Sequence, residues 1–380
     1  ERLPRSVPSC AKAAQKQGSN QRPRCGRYRR IMLPTRSPTR LSPPCSSVQP
    51  LTPCSHPSQA TIAKLGGVEP LVNLLVNGES QMSQDNAAGA LASLASKHSE
   101  NRQAVAKRLV GLLNGRQVER AVRVLGALAS LSKDHAANQL AIAKVGGIPP
   151  VISWLGSASE DAQREAAHAV LAIATNNVTT QSLISKSAGI PPLIAIIKRS
   201  SVEAQEHAAN ALWHLASTPE NQTAIAEANG IEPLVAMLSA DGLKAPELAA
   251  VTIVRLAKDN LDVAKSIASC HGIRPLVGLL TNGSPAAQQE AASALSELGQ
   301  VPRNRNQIAQ AGGIEPLIKL LSSQTVGTPE TAARALAHLA RSNDEVEVDA
   351  EEDVSDEDDE EEEKPSSPDG AAKEEDKENE

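Results

Sequence analysis

Residues 205–217 have the sequence QEHAANALWHLAS, and the spacing of its apolar side chains recurs through the chain. The fourth, eighth and eleventh places are Ala208, Leu212 and Leu215. Steps of four and three residues put these side chains on one stripe of an α-helix. The same pattern, thirteen residues long and apolar at the same three places, begins seven times, at Gln84, Val118, Gln163, Gln205, Pro246, Gln288 and Pro329.

The spacing of these helices indicates how they are arranged. From the third copy onward, successive copies begin 42, 41, 42 and 41 residues apart. A helix that returns at a nearly fixed period of this length is typical of stacked helical repeats, in which each unit packs on its neighbours. The sequence therefore predicts an all-α solenoid of about seven units. Solenoids present extended surfaces, so the class of function that the pattern favours is binding.

A second recurring block contains Gly, then Ile or Val, one further residue, Pro and an aliphatic residue. It occupies residues 67–71, 147–151, 189–193, 230–234, 272–276 and 313–317. Glycine just past a helix end accepts the left-handed conformation, and Pro is tolerated in the first turn of the next helix. We therefore predict a sharp corner between two helices at each block, with its glycine left-handed. An Asn near the start of the preceding short helix is predicted as that helix's N-cap, at Asn101, Asn138, Asn221 and Asn306.

The repeating unit resembles that of the armadillo repeat family over residues 58–342. It consists of a short helix, a Gly-[IV]-x-Pro-Leu corner and a long helix with the pattern QExAAxALxxLA. The resemblance implies a right-handed superhelix of armadillo repeats. The repeat sequence is most similar to that of vacuolar and plant-type armadillo scaffolds. Tetratricopeptide repeats have a different period, of about 34 residues, and HEAT repeats lack this corner. The second unit departs from the pattern because residues 107–110 continue without a corner block. We expect a shortened or fused corner there.

In armadillo proteins the long helix lines the inner face, where its third, sixth, tenth and thirteenth places meet a ligand. The resemblance therefore implies a partner-binding groove that contains Arg123, His168, Asn210, His214, Arg255, Lys258, Arg334, His338 and Arg341. Importin-α-like adaptors carry a Trp ladder at the sixth place and an Asn ladder at the tenth. This chain has neither ladder, so we do not expect it to bind nuclear-localisation peptides in that manner. The basic residues in the C-terminal half favour acidic or neutral extended segments.

Charge divides the chain into a head (1–57), a repeat domain (58–343) and a tail (344–380). Residues 1–59 contain 11 basic residues and one acid, whereas residues 344–380 contain 21 acids and three lysines. Neither terminus has the apolar pattern that folding requires, so both are predicted to be disordered. The acidic tail is a candidate arm for binding basic proteins or for folding back on the chain's own groove. Ser355, within its run of acids, is a candidate phosphorylation site.

The sequence predicts a protein without catalytic activity, bound metal or cofactor. The histidines of the long helices lack a matching carboxylate and nucleophile, and the glycine pairs lack the strand-and-helix context of phosphate loops. No apolar stretch approaches the roughly 20 residues of a membrane span. Four of the five cysteines lie in the head and only Cys270 in a repeat, which favours a cytoplasmic or nuclear location. Neither a small-molecule substrate nor nucleic acid is expected as a ligand.

The function that we predict is a protein–protein interaction scaffold that binds an extended partner segment along the groove. Two alternatives stay open. The repeats could be the substrate-recognition arm of a U-box ubiquitin ligase whose U-box precedes Glu1. They could instead belong to a transport or chromatin adaptor whose acidic tail engages basic proteins such as histones. A longer transcript that encodes a U-box would support the first alternative, and loss of binding on tail deletion would support the second.

Overall fold

The computed structural model describes residues 57–341, which all belong to one compact unit of the chain. The described residues form 20 α-helices and no β-strand. In chain order they are α1 (Pro57–Lys64), α2 (Val68–Asn77), α3 (Gln81–Lys97), α4 (Ser99–Leu113), α5 (Val118–Ser132), α6 (Ala136–Lys144), α7 (Ile148–Leu155), α8 (Glu160–Ala174), α9 (Val178–Lys186), α10 (Ile190–Arg199), α11 (Val202–Leu215), α12 (Pro219–Glu227), α13 (Ile231–Met237), α14 (Lys244–Ala257), α15 (Leu261–Ser269), α16 (Ile273–Asn282), α17 (Pro285–Leu298), α18 (Pro302–Gln310), α19 (Ile314–Leu320) and α20 (Thr328–Leu339). The all-α solenoid is confirmed. The predicted disorder of head and tail, the docking of the tail and Ser355 lie outside the described residues.

Seven long helices correspond to the thirteen-residue pattern, namely α3, α5, α8, α11, α14, α17 and α20. Each packs against the next in this series, so they form a continuous layer. The predicted apolar stripe is their core face, and in α11 Ala208, Leu212 and Leu215 are all fully buried. The same three places are buried from α3 through α17, whereas in α20 only Ala332 is. The two leucines of α20 stay partly exposed, because α20 is the last helix of the layer.

The glycines of the corner blocks do not have the predicted left-handed conformation. Gly147 has φ −77°, in the right-handed region, and the preceding Gly146, with φ +74°, is the left-handed residue. The Gly147 N–H donates to the Ile142 carbonyl at 2.9 Å and the Gly146 N–H to that of Ala143 at 3.0 Å, which is the Schellman arrangement. The prediction that the glycine of each block is left-handed is therefore wrong. Across the six corners the left-handed residues are Gly66, Gly146, Ala188, Asn229, His271 and Gly312.

Close approach, not handedness, explains why the corner block contains glycine. A methyl group placed on Gly147 would lie 2.9 Å from the Ile142 carbonyl oxygen and 2.7 Å from a methyl carbon of Val110. Contacts this short leave no room for a side chain, so glycine lets the corner lie directly on the helix end and on the preceding unit. Similar crowding exists at Gly189, Gly230, Gly272 and Gly313.

The predicted asparagine N-caps are wrong. Helices α4, α6, α12 and α18 begin after His98, His135, Thr218 and Val301. The predicted residues lie inside these helices instead: Asn101, Asn138, Asn221 and Asn306. Asparagine does cap α9 and α15, where the side chains of Asn177 and Asn260 each accept a backbone N–H.

The buried asparagines of the short helices bond to the long helix that precedes them. Asn138 Nδ2 donates to the Leu131 carbonyl at 2.7 Å, and Asn221 Nδ2 donates to the Leu215 carbonyl at 2.9 Å. The last carbonyls of a helix lack intrahelical partners, so a buried helix end needs donors from elsewhere. These asparagines therefore cap the C-terminal end of the preceding long helix and do not cap the N-terminus of their own helix.

Complete units have two helices before their long helix, whereas the second unit has only one, α4. Helix α4 continues without a break from Ser99 to Leu113, through residues 107–110, where the sequence lacks a corner. The expected fused corner is confirmed. Val110 still lies against Gly147 of the next unit, so α4 provides the packing surface that a separate second helix provides elsewhere.

Candidate functional site

The face of the long helices that carries the predicted binding residues, which we call the groove, is acidic in its N-terminal part. A cavity of about 860 Å³ opens along α3, α5 and α8. The carboxylate residues that line it are Glu79, Asp85, Glu119, Asp161 and Glu165. The basic residues that line it are Arg123 and His168. Carboxylates therefore outnumber basic groups, and we refer to this cavity as the acidic pocket.

Two internal contacts hold charges of the acidic pocket in place. The Arg123 guanidinium donates to the backbone carbonyl of Val76, which anchors its charge at the end of α2. His168 Nδ1 lies 3.7 Å from Glu165 Oε2. Hydrogen bonding by His168 lowers the pKa of Glu165 although its burial opposes that shift. Glu165 therefore keeps its negative charge inside the groove at neutral pH.

A stacked histidine pair lies at the end of the acidic pocket nearest α11. The rings of His168 and His207 are 4.8 Å apart between centroids and inclined by 17°. Burial lowers the pKa of His207, and the neighbouring His168 lowers it further. The His207 ring is therefore neutral at pH 7 and offers a flat, uncharged surface next to the carboxylates.

Beyond the histidine pair, an arginine lies on a tryptophan face. The guanidinium carbon of Arg255 is 4.1 Å from the ring centroid of Trp213, a cation–π contact. The ring of His214 meets Trp213 edge-on at 4.6 Å between centroids. His214 is only 8% exposed, so it packs beside Trp213 and does not face a ligand as predicted. Burial first, and the charge of Arg255 second, lower the pKa of His214 to about 4.

The C-terminal part of the groove is more basic. Arg334 and His338 of α20 both reach Ser296, through Arg334 Nε to Oγ at 3.3 Å and His338 Nδ1 to the carbonyl oxygen at 2.9 Å. Glu297 lies near both, and its burial raises its pKa while Arg334 opposes that rise. We refer to the C-terminal part of the groove as the basic end, and its basic residues are Arg255, Lys258, Arg334 and Arg341.

The structure brings most of the predicted groove residues into these clusters. Arg123 and His168 share the acidic pocket, and Arg334 and His338 meet at Ser296. Asn210 is half-buried on α11, while Lys258 and Arg341 are exposed at the ends of their helices.

Sequence reasoning missed Asp85, Glu119 and Trp213. Asp85 and Glu119 occupy second places of the long-helix pattern, and Trp213 occupies a ninth place. Second, sixth, ninth and thirteenth places are four, three and four residues apart, so they form one stripe beside the apolar one. Counting inner places along this stripe would have found all three residues.

Within residues 57–341, no group of three or more His, Cys, Asp or Glu side chains is placed to hold a metal ion. No helix of that segment is both long enough and apolar enough to span a bilayer.

The helical units and their charged groove define an α-solenoid repeat protein, and comparisons with known proteins identify its class. A family model described as armadillo/beta-catenin-like repeat matches residues 55–96, 262–299 and 302–341. An engineered protein of known crystal structure is 32% identical, with a TM-score of 0.65, over 75% of this chain and 71% of that chain. The chain belongs to the armadillo repeat family. Its likeness to vacuolar and plant-type scaffolds stays a prediction.

Two designed armadillo repeat proteins have the same fold. One is 22% identical, with a TM-score of 0.59, over 61% of this chain and 99% of that chain. The other, solved in complex with the peptide (KR)4, is 22% identical, with a TM-score of 0.52, over 72% of this chain and 99% of that chain. A search of curated proteins found no match to this chain.

Proposed function

We propose that this chain is a non-catalytic scaffold of the cytoplasm or nucleus that holds an extended segment of a partner protein along its groove. The observation that carries the proposal is the acidic pocket, a cavity of about 860 Å³ that brings four carboxylates of three long helices together with Glu79 of the loop before α3. The (KR)4 complex of a designed armadillo repeat protein supports a peptide as the type of ligand.

Charge along the groove gives the bound segment a direction. Basic side chains of the partner lie over α3, α5 and α8, where Glu119 and Glu165 line the pocket. Acidic or neutral side chains lie over α14 and α20, where Arg255 is already held against Trp213. Complementary charges of this kind fix register and speed association more than they add affinity. The segment is therefore basic at one end and acidic or neutral at the other.

Photo-crosslinking of a basic probe to the full chain tests this proposal. The probe is (KR)4 with a photoreactive group, and the crosslinked residues are mapped by mass spectrometry. We expect crosslinks on α3, α5 and α8. Glu119→Gln with Glu165→Gln reduces them about five- to ten-fold, because the two lost carboxylates together remove roughly 1 kcal/mol of attraction at a partly solvated site.

A matched control separates the groove from general negative charge. Glu232→Gln with Glu315→Gln removes two carboxylates that pair with lysines outside the acidic pocket, and it should leave the groove crosslinks unchanged. The acidic residues 344–380 attract the same probe in every variant, so their crosslinks serve as an internal reference. Crosslinks confined to residues 344–380, or equal on the groove in both double variants, would overturn the proposal.

The two alternative functions depend on other parts of the protein. A U-box would precede Glu1, and engagement of basic proteins by the tail would use residues 344–380. Both are hypotheses about segments outside the described residues, and the crosslinking experiment bears on them only through the tail crosslinks.

A further inference from the structure

The last unit exposes a side chain that every complete inner unit buries. In the second helices of the inner units, Ile152, Ile194, Val235 and Val277 occupy equivalent places and are at most 9% exposed. Ile318, at the same place in α19, is 53% exposed. Ile314 and Leu321 are likewise exposed, whereas their inner counterparts are buried. The C-terminal face of the solenoid therefore has the composition of an inner interface.

The contact that Ile318 lacks can be named from the inner units. A methyl placed on Gly189, Gly230, Gly272 or Gly313 would lie 2.9–3.1 Å from the side chain at the equivalent place of the preceding unit. The glycine corner of each unit thus lies directly on that aliphatic side chain. Ile318 therefore has the place and the side chain that would contact the glycine corner of a following unit, and within the described residues no corner contacts it.

The first unit has the complementary half of this contact. Its corner glycine is Gly67, and the three atoms nearest to a methyl placed there all belong to Ile62 of the same unit. Ile62 is 44% exposed, although its counterparts are at most 1% exposed, at Ile142, Ile184, Ile225, Ile267 and Ile308. Among residues 57–341, the N-terminal face therefore has a corner that lies on no preceding aliphatic side chain.

We propose that these two faces bind each other in different copies of the chain, with the Gly67 corner of one copy on Ile318 of the next. The contact continues the repeat–repeat interface and buries Ile62, Ile314, Ile318 and Leu321. This proposal does not depend on what the groove binds.

Composition favours a second copy over the chain's own tail as the occupant of the C-terminal face. The only large aliphatic side chains of residues 342–380 are Val346, Val348 and Val354, and they stand among 21 acids. The tail also contains no Gly-[IV]-x-Pro block, whereas a glycine corner is what covers the equivalent place in the inner units. A second copy offers such a corner at Gly67.

The symmetry of the contact determines the assembly. Two different faces join, so each copy keeps one face free and further copies can add, as in other head-to-tail contacts. The exposed aliphatic side chains that the contact would bury are few, namely Ile62 on one face and Ile314, Ile318 and Leu321 on the other, so association should be weak and dependent on concentration.

Sedimentation velocity of the full chain, from low micromolar to about 200 µM, tests the proposal at concentrations where weak interfaces form. The wild type should sediment faster as its concentration rises. Ile318→Asp and Ile62→Asp should each be monomeric alone, because each has lost one of the two faces. Mixed together, they should form a one-to-one complex, since each variant still carries the intact face that the other lacks.

Val202→Asp is the matched control, because Val202 is 62% exposed in an inner unit and its replacement should leave wild-type assembly unchanged. Circular dichroism checks that each variant keeps its helices. A wild type that stays monomeric over the whole range would overturn the proposal. So would self-association of Ile62→Asp alone, which indicates pairing of two C-terminal faces, or a mixture that forms no complex.

Discussion

The guanidinium of Arg255 lies 4.1 Å above the ring of Trp213, on the neighbouring long helix. The face of this tryptophan therefore carries a cation. An arginine held on an aromatic face needs less ordering when it binds a carboxylate, since part of its side-chain freedom is already lost. The pair therefore gives the basic end a preformed anchor.

Removal of the Arg255 charge should raise the pKa of His214 only in part. Burial is the larger cause of the low pKa of His214, and Arg255 is the smaller one. In Arg255→Gln the pKa should rise above about 4 but stay below the ordinary 6.5. NMR titration of the His214 ring protons measures it, and Lys258→Gln is the matched control. A return to the ordinary value would show that charge, not burial, dominates.

Unfolding free energy should fall as the pH is lowered through the range set by His214. The unfolded chain binds a proton at the ordinary pKa of 6.5, whereas the folded chain resists it until about pH 4. The contribution of His214 to the unfolding free energy is therefore fully present above pH 6.5 and is lost as the pH falls below it. The loss amounts to about 2 kcal/mol between pH 7 and pH 5. His207 contributes in the same direction, because its pKa is also lowered.

Urea unfolding at pH 7 and pH 5 checks this, with His214→Gln as the test variant. The variant should lose a large part of the pH dependence and keep the part due to His207. His98→Gln provides a comparison at a half-buried histidine before α4. An unchanged pH dependence in His214→Gln would contradict the assignment of the effect to this residue.

Gly189→Ala should destabilise the protein although the residue is not left-handed. The new methyl would lie 3.0 Å from the Ile184 carbonyl oxygen and 3.1 Å from Ile152 of the preceding unit. Such overpacking costs about 1–3 kcal/mol. Gly278→Ala is the control, because no atom lies within 4 Å of its methyl and Ala favours the interior of α16 by about 0.5–1 kcal/mol. Chemical denaturation should give opposite signs for the two variants.

Ala188→Gly should have the reverse effect. Ala188 has φ +56°, a conformation that costs a residue with a Cβ about 1 kcal/mol and costs glycine little. We expect stabilisation of about 0.5–1 kcal/mol in thermal or urea unfolding. Ala195→Gly, at an exposed position within α10, should destabilise by about the same amount. Equal destabilisation by both changes would show that Ala188 is not strained.

The fold followed from the sequence because one pattern with one period carries it. Ala208, Leu212 and Leu215 are buried as predicted, and the fused corner at residues 107–110 is present. The local chemistry was harder to assign. Asn138 and Gly147 were given the roles that such residues usually have at helix ends, whereas contacts between units determine their actual roles. Periodicity within one helix contains no information about such contacts.

The site was partly predictable for a related reason. The resemblance to armadillo repeats predicts a place on the groove for His168 and Arg334, because the sixth place of the long helix lines the inner face in that family. Their partners, Glu165 and Ser296, became visible only in the structure. The burial of His214 depends on how closely Trp213 packs beside it, a distance that no sequence pattern gives.

Side-chain amides also connect successive inner units. Gln139 Nε2 donates to the Ala172 carbonyl at 2.9 Å, and Asn177 Nδ2 donates to Gln139 Oε1 at 2.9 Å. Gln222 joins the next units in the same way, since its Nε2 lies 2.9 Å from the Arg255 carbonyl and Asn260 donates to its Oε1.

Such links couple the unfolding of one unit to that of its neighbours. Hydrogen exchange should therefore find a cooperative block in the middle of the repeat array, from α6 to α15, that opens as a whole. The first and last helices of the described residues, which have a described neighbour on one side only, should fray earlier and exchange their amides faster. A partner that spans the groove would then protect the ends most, so the extent of protection would show how far along the array the partner reaches.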